Sequence, residues 1–323
     1  MGGVGPDQEG IPMTIQERRV DRMVGNVAPI LDWVFTRMQE QRRMGSDAAD
    51  FTFGNPQEMP LPGLVDALQR NAVPHDKDWF AYKLNEEEPT QVVADSLRRR
   101  TGIAFEPQDV AMTAGAFGAL AVTIRAMCDE GDEVIFLSPP WFFYELMILS
   151  SGATPVRVRL ASPDFGLDTE AVAAAITPRT RAIIVNSPHN PTGRIYRQPE
   201  LAALGQVLEA ASERNGRPIV LLSDESYNRI VFDDIEYRSP ALDYGATITI
   251  YTYGKTLLAP GQRIGYAAMS RRSLTDARPA SGSWSSSSLR AGAFPTRCCS
   301  TPSATSRRCR STSVRYRHAA TGW

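Results

Sequence analysis

Residues 181–193 read RAIIVNSPHNPTG, and this stretch decides the fold. Ala182, Ile183, Ile184 and Val185 form a short apolar run with no polar alternation. That is the pattern of a strand covered on both faces. Asn186-Ser187-Pro188-His189-Asn190-Pro191-Thr192-Gly193 follows at once, and its prolines and glycine mark a turn. Polar groups in such a turn stand at the carboxyl end of a buried parallel strand, where α/β sheets bind their ligands. Taken alone, the string also reads as an ordinary strand-to-helix connection.

Working outward, strands and helices alternate on both sides. Downstream come a helix at 201–216, a strand at 218–225 and the strands 246–255 and 263–270. Upstream come strands at 110–115, 133–139 and 155–160, with helices at 92–102, 119–131, 141–152 and 168–176 between or beside them. Helices of this length between strands imply crossover connections and an α/β fold with a mainly parallel sheet between helices. Residues 14–45 carry apolar positions Val24, Val27, Ile30, Leu31 and Val34 near a 3.6-residue period, which predicts a further helix. Residues 46–63, with Gly54, Pro56, Pro60, Pro62 and Gly63, read as an extended loop.

The chain of 323 residues is 42% hydrophobic and 22% charged, as expected of a globular protein with room for two domains. No apolar run is long enough for a membrane span, and the N-terminus lacks the apolar core of a secretory signal. A net charge of −1 argues against nucleic acid or an anionic membrane as partner. Residues 271–323 break this pattern, with 10 Arg, 12 Ser and a single acid, Asp276. That leaves 25 basic against 35 acidic side chains in residues 1–270. Cys298, Cys299 and Cys309 also lie in this segment, so Cys128, in an apparent helix, is the body's lone cysteine. With no disulfide framework, a reducing cytoplasm is the expected location. The segment reads either as a disordered basic tail or, more sharply, as the product of a reading frame lost near Arg271.

Two more strings carry chemistry. Ser223-Asp224-Glu225-Ser226-Tyr227 again ends a buried strand, where an acid needs a partner. Asp224 is either a helix cap or the counter-charge of a cationic ring. Thr252-Tyr253-Gly254-Lys255 closes the run ITIYTYG, and Arg263 stands eight residues beyond Lys255. His75 and His189 have no metal-ligand spacing and read as loop residues.

In this order and spacing the three strings resemble the pyridoxal-phosphate (PLP) enzymes of fold type I. The nearest likeness is to the class I/II aminotransferases of the aspartate aminotransferase type, over residues 50–270. The resemblance implies a PLP-binding large domain and makes Lys255 the Schiff-base and proton-shuttling lysine. It gives Asp224 the pyridine nitrogen, Asn190 and Tyr227 the ring's 3-oxygen, and Arg263 and Thr252 the phosphate. Gly115, Ala116 and Phe117, in a small-residue turn before a helix, would add backbone N–H groups to the phosphate cradle. Trp141 would stack on the ring and, with Asn190, border the substrate. Gly54 would meet the substrate carboxylate, and Tyr82 would reach the phosphate of a neighbouring subunit, so that a homodimer shares its active sites. The implied reaction moves an amino group between an amino acid and a 2-oxo acid. Other reactions of the scaffold stay open: C–S lysis, decarboxylation and aminocyclopropane-carboxylate formation. So does a truncated, non-catalytic remnant.

The chain departs from the family in two places. Asn85-Glu86-Glu87-Glu88 stands where small residues and glycine are usual, and the C-terminal small domain with its carboxylate-gripping arginine has no counterpart. The expected division is 1–60, an N-terminal helix and arm belonging to an incomplete small domain; 61–270, the large domain; and 271–323, the aberrant tail.

Overall fold

Seven strands form one sheet: β1 (Val110–Thr113), β2 (Glu133–Ser138), β3 (Thr154–Arg159), β4 (Thr180–Asn186), β5 (Val220–Asp224), β6 (Thr247–Thr252) and β7 (Gly265–Ala268). They are seen in a computed structural model that describes residues 15–45, 54–56, 58–83 and 85–269. The spatial order is β1-β7-β6-β5-β4-β2-β3. Every pairing is parallel except those of β7, which runs antiparallel to both β1 and β6. The carboxyl ends of β1, β2, β4, β5 and β6 therefore share one edge, and β7 begins on that edge between β1 and β6. The expected α/β fold with a mainly parallel sheet is the observed one.

The period-2 geometry of a strand explains why the inner strands β2, β4 and β5 place apolar residues on both faces. Val134 and Phe136 of β2, Ala182 and Ile184 of β4, and Val220 and Leu222 of β5 enter one core. Their neighbours Ile135, Leu137, Ile183, Val185 and Leu221 enter the other. Helices α4 (Gly115–Met127) and α5 (Phe143–Ser151) cover the first face; α6 (Thr169–Ala175) and α7 (Gln198–Asn215) cover the second. Helix α3 (Glu87–Thr101) closes a third, smaller core over β1 and β7 through Val93, Ala94 and Leu97. Burying one such aliphatic side chain stabilises by roughly 1.5–3 kcal/mol.

Three expectations need correction. The loop read over 46–63 holds at the described residues 54–56 and 58–61 but ends two residues early, in a helix, α2 (Pro62–Asn71), with Pro62 at its first turn where a missing N–H costs nothing. The helix read from Ala119 begins four residues earlier, at Gly115, whose φ of +73° turns the chain directly into it. Cys128 stands just past that helix in extended conformation, and is buried. The unusual acids find a local reason: Glu87 and Glu88 occupy the first turn of α3, where the helix dipole favours negative charge. Asn85 ties that start to the sheet by donating to the Val110 carbonyl at 3.0 Å.

Helix α1 (Ile15–Met44) lies against α5, with the Arg19 guanidinium over Gly152. No helix among the described residues is long and apolar enough to cross a membrane. The readings made for 271–323, disorder and a lost frame, lie outside the described residues.

Candidate active site

A cavity of about 220 Å³ opens at the shared carboxyl edge of the sheet. One end is built by the turn from β1 into α4. The chain passes through Gly115 with no side chain capping the helix, so its first N–H groups have no partner within the helix. A Cβ at Gly115 would lie 3.1 Å from Arg263 Nη2 and 3.5 Å from Thr252 Oγ1. These distances put the guanidinium, the hydroxyl and the helix start around one point. Arg263 donates to the carbonyls of Ala114 (3.3 Å) and Pro260 (3.0 Å). It does so from a backbone with φ of +53°, costly for a side-chain-bearing residue and typical of functional sites. Gly265 lets β7 slide under this turn, since a Cβ there would be 2.4 Å from the Tyr251 carbonyl and 2.7 Å from Gly115 Cα. The result is a cradle for a doubly charged anion such as phosphate.

The far end is Asp224, last residue of β5 and 4% exposed. Tyr144 donates its hydroxyl to Oδ2 at 2.7 Å; Ser226 donates its hydroxyl (2.6 Å) and its N–H (3.2 Å) to Oδ1. No ion pair reaches it among the described residues. Burial pushes its carboxyl above the ordinary range, with the hydrogen bonds from Ser226 and Tyr144 acting against that rise. It is a buried acid without a cation, facing a cavity. It is not a helix cap, because no regular helix follows it.

Between the ends, Asn190 Nδ2 donates to the Tyr227 hydroxyl at 3.3 Å. Burial first, then the charge of Asp224, raises the Tyr227 hydroxyl's pKa and keeps it protonated, a donor. Lys255 Nζ lies 5.7 Å from the Tyr227 ring centre and donates to the Gly54 carbonyl at 3.2 Å. Burial lowers this amine's pKa and favours its neutral, nucleophilic form. Trp141 forms a wall, edge-on to Phe117 and Tyr144 at centroid distances of 5.9 and 5.4 Å. His189 is buried, bonded to Thr192 Oγ1, and held neutral by burial with a pKa of about 4.

The structure thus brings Ala116, Phe117, Trp141, Asn190, Asp224, Tyr227, Thr252, Lys255 and Arg263 to one cavity. Gly115 borders its cradle and Gly54 borders Lys255. Tyr82 is not brought there; its side chain is fully exposed. The sequence reading missed Tyr144 and Asn186, which also line the cavity. Tyr144 lay hidden in the apolar run WFFYELMILSSG; the available signal was a hydroxyl among large apolar side chains, which needs a partner when buried.

The sequence profile of the family described as aminotransferase class I and II matches residues 47–297, running past Ser270, where the sequence motifs stop. A probable aspartate/prephenate aminotransferase of Thermus aquaticus is 36% identical over 72% of this chain and 60% of its own length. A probable N-succinyldiaminopimelate aminotransferase of Mycobacterium tuberculosis is 33% identical over 76% of this chain and 61% of its own. The solved aspartate aminotransferase from Thermus thermophilus with maleate aligns at a TM-score of 0.67 and 30% identity, covering 88% of this chain and 70% of that one. The chain spans about six-tenths of the length of the curated relatives it matches. A profile match over most of the chain, with a relative 36% identical over 72% of it, makes this chain a member of the class I and II aminotransferase family.

Proposed function

We propose that this chain holds pyridoxal 5′-phosphate in the strand-edge cavity, covalently through Lys255 Nζ, and that the protein transfers an amino group between an amino acid and a 2-oxo acid. One observation carries the reading: an anion cradle, a buried acid with no cation beside it among the described residues, and a depressed lysine amine converge on a single cavity. Each fits one part of the cofactor: phosphate, pyridine nitrogen and aldehyde carbon. When bound, the cofactor supplies an electron-withdrawing ring that stabilises negative charge on the substrate carbon.

The chain's own residues do the rest. Asp224, ionised, pairs with a protonated ring nitrogen and so regains the charge partner that burial denies it. Asn190 and Tyr227 donate to the ring's 3-oxygen. Thr252, Arg263 and the N–H groups of Gly115, Ala116 and Phe117 hold the phosphate. Trp141 covers one ring face and excludes water. Lys255, whose amine burial holds toward its neutral form, would take and return the proton at the substrate carbon. Gly54, beside Lys255, offers its backbone to the substrate carboxylate. Tyr82 serves the phosphate of a second subunit in a homodimer, in keeping with its exposure here. Cytoplasmic location and the division at residues 60 and 270 belong to the same reading. The relatives named above are all aminotransferases, which favours amino-group transfer over lysis, decarboxylation or a non-catalytic remnant.

The test is chemical. Protein incubated with pyridoxal phosphate gains a visible absorption band; borohydride fixes the cofactor to the Lys255 peptide; Lys255→Ala gains neither. An adduct mapped to Lys77 or Lys83 instead overturns the assignment.

A further inference from the structure

Asn186 is the last residue of β4 and only 2% exposed. Its side-chain Nδ2 donates to the Asp224 carbonyl at 2.8 Å, and its Oδ1 accepts from the Asn190 backbone N–H at 2.6 Å. The orientation of this amide is fixed by chemistry. A carbonyl can only accept and an N–H can only donate, so the flipped amide would lose both bonds. The same two strand ends are already in register, with Asn186 opposite Asp224 and Ser187 N–H donating to the Asp224 carbonyl at 3.2 Å.

The turn after Asn186 offers Asn190 little else. Pro188 and Pro191 have no N–H. The N–H groups of His189 and Gly193 are used within the turn, on Arg194 and His189. The recorded anchor of the Asn190 backbone is the Asn186 side chain. Asn190 then reaches the Tyr227 hydroxyl, and Tyr227 lies three residues after Asp224. The bonds close a circuit: Asn186, Asn190, Tyr227, the short chain back to Asp224, and Asn186 again.

We propose that Asn186 is a positioning residue that fixes the distance between two groups addressing the cofactor ring, Asp224 at the nitrogen and Asn190 at the 3-oxygen. The proposal rests on the cofactor reading above. Its consequence is electronic as well as mechanical. If Asn190 drifts, the 3-oxygen loses a donor. If Asp224 drifts, the ring nitrogen loses its counter-charge. Either change makes the 3-oxygen more basic, so the proton it shares with the lysine-linked nitrogen is held to higher pH.

The experiment compares the full chain with Asn186→Ala and with Asn186→Asp, which keeps the shape but turns Nδ2 into an oxygen facing a carbonyl. Two quantities are read after loading with pyridoxal phosphate: its dissociation constant, and the pH midpoint of the visible band of the Lys255-linked form. Both variants should hold the cofactor roughly tenfold less tightly, and their midpoint should rise by about one pH unit, as expected for a lost charge-assisted contact. In an Asn190→Ala background the midpoint shift caused by Asn186→Ala should shrink to less than half, because part of its route is gone. If the alanine variant does not fold, the aspartate variant decides. Variants that melt earlier but keep the parental midpoint and affinity overturn the proposal and leave Asn186 a turn-stabilising side chain. A parent chain with no Lys255-linked band overturns the cofactor reading itself, and this proposal with it.

Discussion

Asp224 shows at the scale of one residue how stability and function pull apart. Burial raises its carboxyl above the ordinary value of 3.8, so the charged form is the costly one. The sign follows: the stability it contributes is fully present below the ordinary carboxylate range, and is lost as pH rises through the raised value. Above that raised value the cofactor-free chain carries a destabilising anion, and Asp224→Asn should relieve it. Differential scanning should find the cofactor-free variant melting about 2–4 °C higher than the parent at pH 8, with the gap closing toward acid. The same variant should bind pyridoxal phosphate about a hundredfold less tightly. A variant that melts lower at pH 8 would show that Tyr144 and Ser226 already satisfy the anion. Tyr144→Phe removes one of those donors and nothing else, so it should cost about 1 kcal/mol of cofactor binding, measured by titration. The place of Asp224 at the cavity could be read from its position at a strand end. Tyr144 could not, because Tyr144 and Asp224 are 80 residues apart in sequence and meet only after α5 packs on the sheet.

At the scale of elements, the inner strands β2, β4, β5 and β6 are legible because they are buried on both faces, while the edge strand β3, TPVRVR, is largely exposed and shows only as a short β-branched run; the sequence analysis finds all seven. Boundaries are less so. Helix α4 starts at Gly115 rather than Ala119 because a positive-φ glycine allows the strand to turn directly into the helix, which no periodicity signals. Helix α2 carries an apolar stripe, Leu64, Val65 and Leu68, which the Pro- and Gly-rich stretch before it masks, although none of its residues is buried. The close approach of β7 to the β1–α4 turn is likewise invisible in the string GYAA. Gly265→Ala puts a methyl group where Gly115 and the Tyr251 carbonyl stand. It should cost about 1–3 kcal/mol in denaturant unfolding, the usual penalty of overpacking. It should also weaken cofactor binding at least tenfold by lifting the phosphate cradle. Loss of stability with unchanged binding would show that the turn moves without the cradle.

Over the whole molecule, the exposed apolar side chains of α1 set its behaviour in solution. Val20, Val24, Trp33 and Phe35 are all more than half exposed, Val20, Val24 and Phe35 on one side of the helix and Trp33 on the other, and exposed apolar side chains favour association. The chain should therefore self-associate, with light scattering rising with concentration, and replacing both Trp33 and Phe35 by Lys should reduce it. Scattering unchanged by that double substitution would place the association elsewhere. What the sequence alone determined is the alternation of strands and helices, the α/β class, and the three strings that give the family and most of the site residues. It could do so because burial on both faces writes an inner strand directly into local composition, and because the cavity-lining groups cluster at strand ends, where neighbours in sequence remain neighbours in space. Only the tertiary structure decided the antiparallel insertion of β7, the convergence of Gly115, Thr252 and Arg263, and the contacts of Tyr144 and Asn186. Those depend on which strands lie side by side and how closely their backbones approach. Pairing and approach are settled by packing between segments scores of residues apart, and no local pattern records them.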